Sequence, residues 1–341
     1  MIVRFGFVAM SMQLENASPS RTMTYANFSK LEDREAGLRR LEFLAEENLK
    51  NTLRLLRHCV ANDIAMYRFS SKLIPLVTHE ALLDWSPWPA LEDGFARIGE
   101  YVREKGLRVS FHPDHFCVFS TPRPEVLAKS EEDMDYHCRM LEAMGLDESA
   151  KCNIHMGGAY GDKPLSAERF VAQFGALPER LRRRITLEND DKTFTARETL
   201  EAAERVRTPM VLDIHHHAVN DGGESAAALY GELWPRIVQT WAHEAAAEPG
   251  MEGSVSPLPP KLHASSPKSE KDPRGHADYV DAGPLMRFLR ETAGSVDRLD
   301  VMLEAKQKDA AVFKLMDDMR QLEAAGEGIR VIDGGTIEVI G

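Results

Sequence analysis

Twelve histidines are spread through the 341 residues, and eight of them lie where a short apolar run gives way to polar residues or in the loop that follows one. SFHPDHF carries His112 and His115, NIHMGGAYG carries His155, and TLENDD carries Glu188. VLDIHHHAVN carries Asp213 and His215 to His217, KLHASS carries Lys261 and His263, GHADYVDA carries His276, and VMLEAKQK carries Glu304. Neutral imidazoles and carboxylates are the usual ligands of Zn²⁺ and Mn²⁺. Carboxylates brought together without a cation repel one another, so convergence of these segments would call for metal. A metal cluster at their meeting point is what such a set supports; hydrolysis and sugar isomerisation can both be built on one.

A single histidine at a strand end is ordinarily a hydrogen-bonded packing residue. Recurrence over six consecutive runs is what points to a ligand set. Lys261 and His263, two residues apart on a strand, share a face. Alternation forbids His215, His216 and His217 from all facing one way, so at least one of them is read as structural. His58, His79, His137 and His243 fall in helical or connecting segments and are read as structural too. The basic run Arg180–Arg184 reads as a solvated helix end.

Something must carry these residues to one place. Eight apolar runs, each followed by a segment of helical periodicity, predict strands at Val3–Val8, Met66–Phe69, Arg108–Phe111, Cys152–His155, Ile185–Glu188, Met210–Ile214, Lys261–Ala264 and Val301–Glu304. The first helix is marked by Leu38, Leu41, Phe43, Leu44, Leu49, Leu53, Leu56 and Val60 on one apolar face. Later helices are expected at 91–104, 124–144, 167–177, 196–205, 225–248, 283–292 and 310–324, with Pro235 kinking or splitting the fifth of these. Eight strand–helix repeats predict an α/β fold, a (β/α)₈ TIM barrel spanning residues 1–341 as a single domain, with an open doubly wound sheet as the alternative. Active sites of such barrels form at the C-terminal ends of the strands, where the histidines and carboxylates stand. The Pro/Gly-rich stretch 249–260 reads as a loop, and 329–341 as a C-terminal hairpin around Asp333-Gly334-Gly335.

Composition narrows the class. No run of about eighteen apolar residues suggests a membrane span, and the N-terminus lacks the pattern of a secretory signal. The four cysteines form no CxxC pair, so a reduced cytoplasmic setting is expected. A formal charge of −12 argues against a sequence-independent nucleic-acid binder with a basic surface. It leaves room for a nuclease, because divalent cations bring positive charge into an acidic cleft.

The words RFGFV, YRFSSKLIPL, SFHP, HMGGAYG, TLENDDKT, KLHASSPKSE, GHADYVDA and MLEAKQKD together resemble the UV damage endonuclease family, related to endonuclease IV and the xylose-isomerase-like barrels. That resemblance implies three divalent ions, Mn²⁺ first and Zn²⁺ or Mg²⁺ as alternatives, at the barrel mouth. Carried onto this sequence, His112 and His155 would hold one ion, and Glu188 would bridge to a second. Asp213, His263 and Glu304 would complete the second site, and His216 and His276 would bind the third. Glu188, Lys261 and His263 would carry the catalysis, with Lys261 at a position the family can carboxylate. The implied substrate is damaged double-stranded DNA, cut immediately 5′ of a UV photoproduct or other distorting lesion; a monomer is expected, since bent DNA must enter an open barrel mouth. His115, Phe116, Tyr160, Lys268, Lys271 and Arg274 are the expected DNA contacts. The family commonly has Gln and an aromatic residue where His115-Phe116 stand, and an Asn after the first strand where this chain has Val8-Ala9-Met10-Ser11. Lesion range is therefore left open.

Two rivals share the residue pattern. A metal-dependent sugar isomerase or epimerase would use the same barrel and the same ligand types. A non-catalytic lesion-binding protein would keep the fold without the chemistry. The number of ligands favours the nuclease over the first, and the intact ligand set favours it over the second.

Overall fold

Each of the eight apolar runs forms a strand in the computed structural model, which describes residues 1–247 and 255–340. The barrel strands are β1 (Ile2–Val8), β2 (Met66–Arg68), β3 (Arg108–Phe111), β4 (Lys151–His155), β5 (Ile185–Glu188), β6 (Met210–Asp213), β7 (Lys261–Ala264) and β8 (Arg298–Leu303). Each pairs in parallel with the next, and β8 pairs in parallel with β1 from Ile2↔Arg298 to Gly6↔Met302, which closes the barrel. Helices fill the connections, the longest being Arg34–Ala61, started by Asp33, whose side chain accepts from the Glu35 N–H.

Strand parity decides which side chains enter the barrel. On β1, Val3, Phe5 and Phe7 are fully buried on the outward face, toward the helices, and Arg4 points inward. There Arg4 grips Asp300 through two bonds of 2.7 Å, and Arg108 reaches the same carboxylate at 2.6 Å. This charged trio fills the floor of the barrel. One layer up, the Lys261 ammonium donates to Ser110 Oγ at 2.8 Å, and Thr186 Oγ1 donates to Asn153 Oδ1 at 2.8 Å. The next positions along the same inward rows are His112, His155, Glu188, His263 and Glu304. Gly6 has its own reason to lack a side chain, because a Cβ there would lie 2.5 Å from Met66 Cβ across the β1–β2 pair.

Some expectations change. Phe43 is 47% exposed, beneath the Arg40 guanidinium, and lies off the apolar face of its helix. The helix expected over 225–248 ends at Thr240, after a π-turn over Leu229–Leu233 that precedes Pro235. A proline lacks the N–H that a regular turn would need, and a widened turn accommodates the defect. Beyond it Ala245–Ala247 pairs antiparallel with Val255–Pro257, so the expected helix end and loop both give way to strand there. The remainder of the expected 249–260 loop lies partly outside the described residues. The C-terminal hairpin, Ile329–Val331 with Thr336–Val339, forms as expected and also adds to β1, antiparallel, along Ile2–Arg4.

Candidate metal centre

β6 ends one residue earlier than its apolar run, and that shift organises the site. Asp213 is the N-cap of a short helix, Ile214–Val219, so His215 to His217 lie on a helix and strand alternation does not govern them. Asp213 Oδ1 accepts the His216 N–H at 2.7 Å, leaving Oδ2 buried and unpartnered. The Asn189 side chain holds the Asp213 backbone from both sides, donating to its carbonyl at 3.0 Å and accepting its N–H at 2.9 Å. His215 is structural. Its Nε2 donates to the Pro273 carbonyl at 2.7 Å, and its Nδ1 meets Ser265 Oγ at 2.5 Å. His217 is buried with Nδ1 unpartnered and joins no ligand group.

Three groups of potential ligand atoms, each within 4.8 Å of one another, converge at the mouth. They are His112, His155 and Glu188; Glu188, Asp213 and His216; and Glu188, His263 and Glu304. Glu188 is common to all three and is 1% exposed. Asp213 thus falls with His216, whereas the resemblance grouped it with His263 and Glu304. His276 belongs to none of the groups; its ring centroid is 5.9 Å from that of His216, and its Nδ1 is 3.8 Å from Glu304 Oε2.

Hydrogen bonding fixes which imidazole nitrogens are free. His112 Nδ1 is 2.9 Å from the Pro113 carbonyl, His155 Nδ1 is 3.3 Å from that of Glu188, His216 Nδ1 is 3.0 Å from that of Asn189, and His276 Nδ1 is 2.8 Å from that of Glu304. A carbonyl only accepts, so Nδ1 carries the proton in all four rings and the Nε2 lone pair is left available. Such backbone anchoring is how metal-binding imidazoles are generally oriented. The His112 Nε2 lone pair then lies 3.2 Å from Glu188 Oε2, itself an acceptor. His263 Nδ1 lies 3.1 Å from Glu188 Oε1 and 3.0 Å from Glu304 Oε1, and both of its ring nitrogens lack a hydrogen bond of acceptable geometry. Glu188 Oε1 is likewise unpartnered. Buried lone pairs facing one another are costly unless a proton or a cation sits between them. These donors fit divalent ions.

The electrostatics agree. Burial pushes the Glu188 carboxyl up, but His263 and then His155 outweigh it and hold the group well below the usual carboxylate range. Burial raises Asp213, with Glu188 and Glu304 adding to that rise against His216. Burial lowers His216, yet Asp213, Glu188 and Glu304 lift it to about 9. Protons are therefore drawn to Asp213 and His216, while Glu188, common to all three groups, is held ionised. Lys261 is pushed down to about 7 by burial, then by Arg108 and Arg68.

The expected DNA contacts lie outside this centre. His115 and Phe116, each 73% exposed and 4.0 Å apart between ring centroids, project from the loop after β3. Tyr160, after β4, is 41% exposed with a left-handed φ of 48°. Lys268, Lys271 and Arg274 ride on an exposed hairpin, Pro267–Ser269 with Asp272–His276, that also returns His276 to the mouth. Sequence reasoning missed Arg68, paired with Glu304, and Asn153, which donates to Glu188. Both have a signal in the sequence: Arg68 ends β2, and Asn153 sits two residues before His155 on the same inward row.

Residues 3–338 match the family described as UV-endonuclease UvdE. This chain belongs to that family. A UV DNA damage endonuclease of Halalkalibacterium halodurans is 42% identical over 324 residues, covering 95% of this chain and 96% of the relative. Among solved structures, SacUVDE superposes with a TM-score of 0.78 at 26% identity, covering 94% of this UvdE-family chain and 99% of that one. Endonuclease IV from Thermus thermophilus matches with a TM-score of 0.50 at 14% identity over 95% of this chain and 99% of that one, a likeness of fold.

Proposed function

We propose that this chain is a metal-dependent DNA endonuclease that hydrolyses the phosphodiester immediately 5′ of UV photoproducts and other distorting lesions, initiating excision repair. The observation that carries the reading is one buried carboxylate, Glu188, shared by three ligand groups in which Glu188 Oε1, Asp213 Oδ2 and both His263 ring nitrogens are buried without a hydrogen-bond partner, in a chain of the UvdE family. Divalent cations, when bound, supply ionised water at neutral pH and neutralise charge on the attacking and leaving oxygens.

The residues divide the remaining work. His112 and His155 would hold one ion with Glu188, Asp213 and His216 a second, and His263 and Glu304 another, with His276 completing a site beside His216. We take the ions to be three Mn²⁺. Asn153 holds Glu188, and Asn189 with the helix cap aims the free oxygen of Asp213. Lys261 is buried with no carboxylate partner among the described residues, its Nζ on Ser110 Oγ, which supports a carboxylated side chain there. Damaged double-stranded DNA would meet His115, Phe116 and Tyr160 at the lesion and Lys268, Lys271 and Arg274 along the phosphates. We further infer action as a monomer in the cytoplasm; four free, buried cysteines accord with a reducing compartment.

The test is a labelled duplex with one cyclobutane dimer or 6-4 photoproduct, incubated with the protein and Mn²⁺. A single nick 5′ of the lesion is expected. An intact duplex, with turnover of a ketose or aldose instead, would overturn the reading in favour of a sugar isomerase.

A further inference from the structure

Arg68 ends β2 with its side chain inside the mouth, 13% exposed, and its guanidinium pairs with Glu304. Glu304 is also approached by His263, at the same oxygen Oε1. One carboxylate oxygen therefore serves an arginine here and would serve a cation in the loaded protein. Both cannot use it fully. Lys308 lies four residues beyond Glu304, half-buried, with a left-handed φ of 52° that a lysine adopts only at some cost. Its ammonium makes no hydrogen bond or ion pair among the described residues. Burial lowers Lys308 first, and the nearby Arg68 lowers it further.

Charge balance then points outward. The ligand groups contain three carboxylates, those of Glu188, Asp213 and Glu304. The three divalent cations proposed above exceed their combined charge even with a carboxylated Lys261 added, and Arg68 and Lys308 add to the excess. Once Glu304 turns to a cation, a guanidinium and an ammonium are left in a largely desolvated corner with no anion, a costly state. A phosphodiester resolves it, and guanidinium matches phosphate oxygens in a two-pronged fit.

We propose that Arg68 and Lys308 form a seat for a DNA phosphate beside the metal centre, and that Arg68 exchanges Glu304 for that phosphate when the centre is loaded. This rests on the endonuclease reading above. Arg68 is thereby more than a support for Glu304, since it contacts substrate only in the loaded protein.

The test uses a duplex already nicked 5′ of the lesion, so that binding is read with Mn²⁺ present and no turnover. Affinity is followed by anisotropy against KCl. Each lost phosphate contact lowers the slope of log K against log salt by about 0.9, or roughly 3.5-fold less loss over a fourfold salt change. Arg68→Met is expected to lower the slope by that amount with Mn²⁺ and to leave it unchanged in EDTA, where Glu304 already occupies the guanidinium. Arg68→Lys should restore most of it. Lys308→Gln should also lower the slope and, being half-buried at the first position of the helix Lys308–Ala324, provides the measurement if Arg68→Met fails to fold. An unchanged slope in both Arg68→Met and Lys308→Gln, with metal content lowered in Arg68→Met, would overturn the proposal and leave Arg68 a support for Glu304. Equal loss of slope with and without metal would overturn the exchange. Failure of the wild type to nick the intact lesion duplex would instead sink the endonuclease reading.

Discussion

Replacing Glu188 by Gln should remove most of the thermal stabilisation that divalent cations give this protein. The amide keeps the shape of the carboxylate and loses its charge and one acceptor oxygen. Because Glu188 supplies an atom to all three ligand groups, one substitution weakens every group at once. A ligand that binds only the folded state at 100 times its Kd contributes about 2.7 kcal/mol. Unfolding entropy of about 2.1 cal/mol/K per residue gives roughly 0.7 kcal/mol/K over the chain, so one filled site raises Tm by about 4 °C.

Three filled groups would then raise Tm by about 11 °C. The assay is calorimetry on EDTA-treated protein with and without MnCl₂, taking the difference within each variant so that baseline stability cancels. Glu188→Gln should shift by less than about 4 °C. His276→Ala, outside all three groups, should keep at least about 7 °C of the shift. A full shift in Glu188→Gln would refute the shared-ligand argument. So would a wild type whose Tm ignores Mn²⁺ altogether.

Phe116→Ala should weaken binding to a lesion duplex about 5- to 150-fold, the loss of one stacking contact of about 1–3 kcal/mol, with metal content and Tm unchanged because the ring is solvent-exposed; equal affinity for both proteins would remove Phe116 from the interface. Asp300→Asn should lower stability by about 3–5 kcal/mol, since it leaves Arg108 buried without its anion. Burial raises the Asp300 carboxyl, but Arg108 and Arg4 outweigh it and hold its folded pKa below the ordinary value. Its contribution is therefore present above the unfolded pKa of about 3.9 and fades as pH falls below it, so Tm of the wild type should converge on that of Asp300→Asn in acid, and parallel curves would contradict this. Intact-mass measurement of metal-loaded protein should find a fraction one CO₂ heavier, absent in Lys261→Met; a wholly unmodified mass under native conditions would remove the carboxylation.

Periodicity was enough to locate the barrel because its strands are buried on both faces and their apolar runs stand clear of the helices between them. The runs Arg108–Phe111, Ile185–Glu188 and Lys261–Ala264 keep the expected bounds in the structure. Parity was enough to put Lys261 and His263 on one face, which the structure turns inward. Parity failed at His215–His217, because VLDI reads as continuous strand. The competing signal was local: Asp213, three residues before His216, is an N-cap, and a cap switches the period from two residues to 3.6.

The residues that escaped the sequence reading share one property: they act through a partner far along the chain. Their strand positions mark both as inward-facing, but no role attaches to Arg68 until Glu304, 236 residues later, is brought beside it, nor to Asn153 until Glu188 meets it. The hairpin that returns His276 to the mouth has no alternating pattern in PKSEKDPRGH to announce it. His215 holds it, bonded at once to Ser265 before the hairpin and to Pro273 within it. Of the three adjacent histidines, then, one anchors the loop bearing His276 and the next belongs to a ligand group. A change at His215 should consequently reach the centre through His276, without touching any of the three groups themselves.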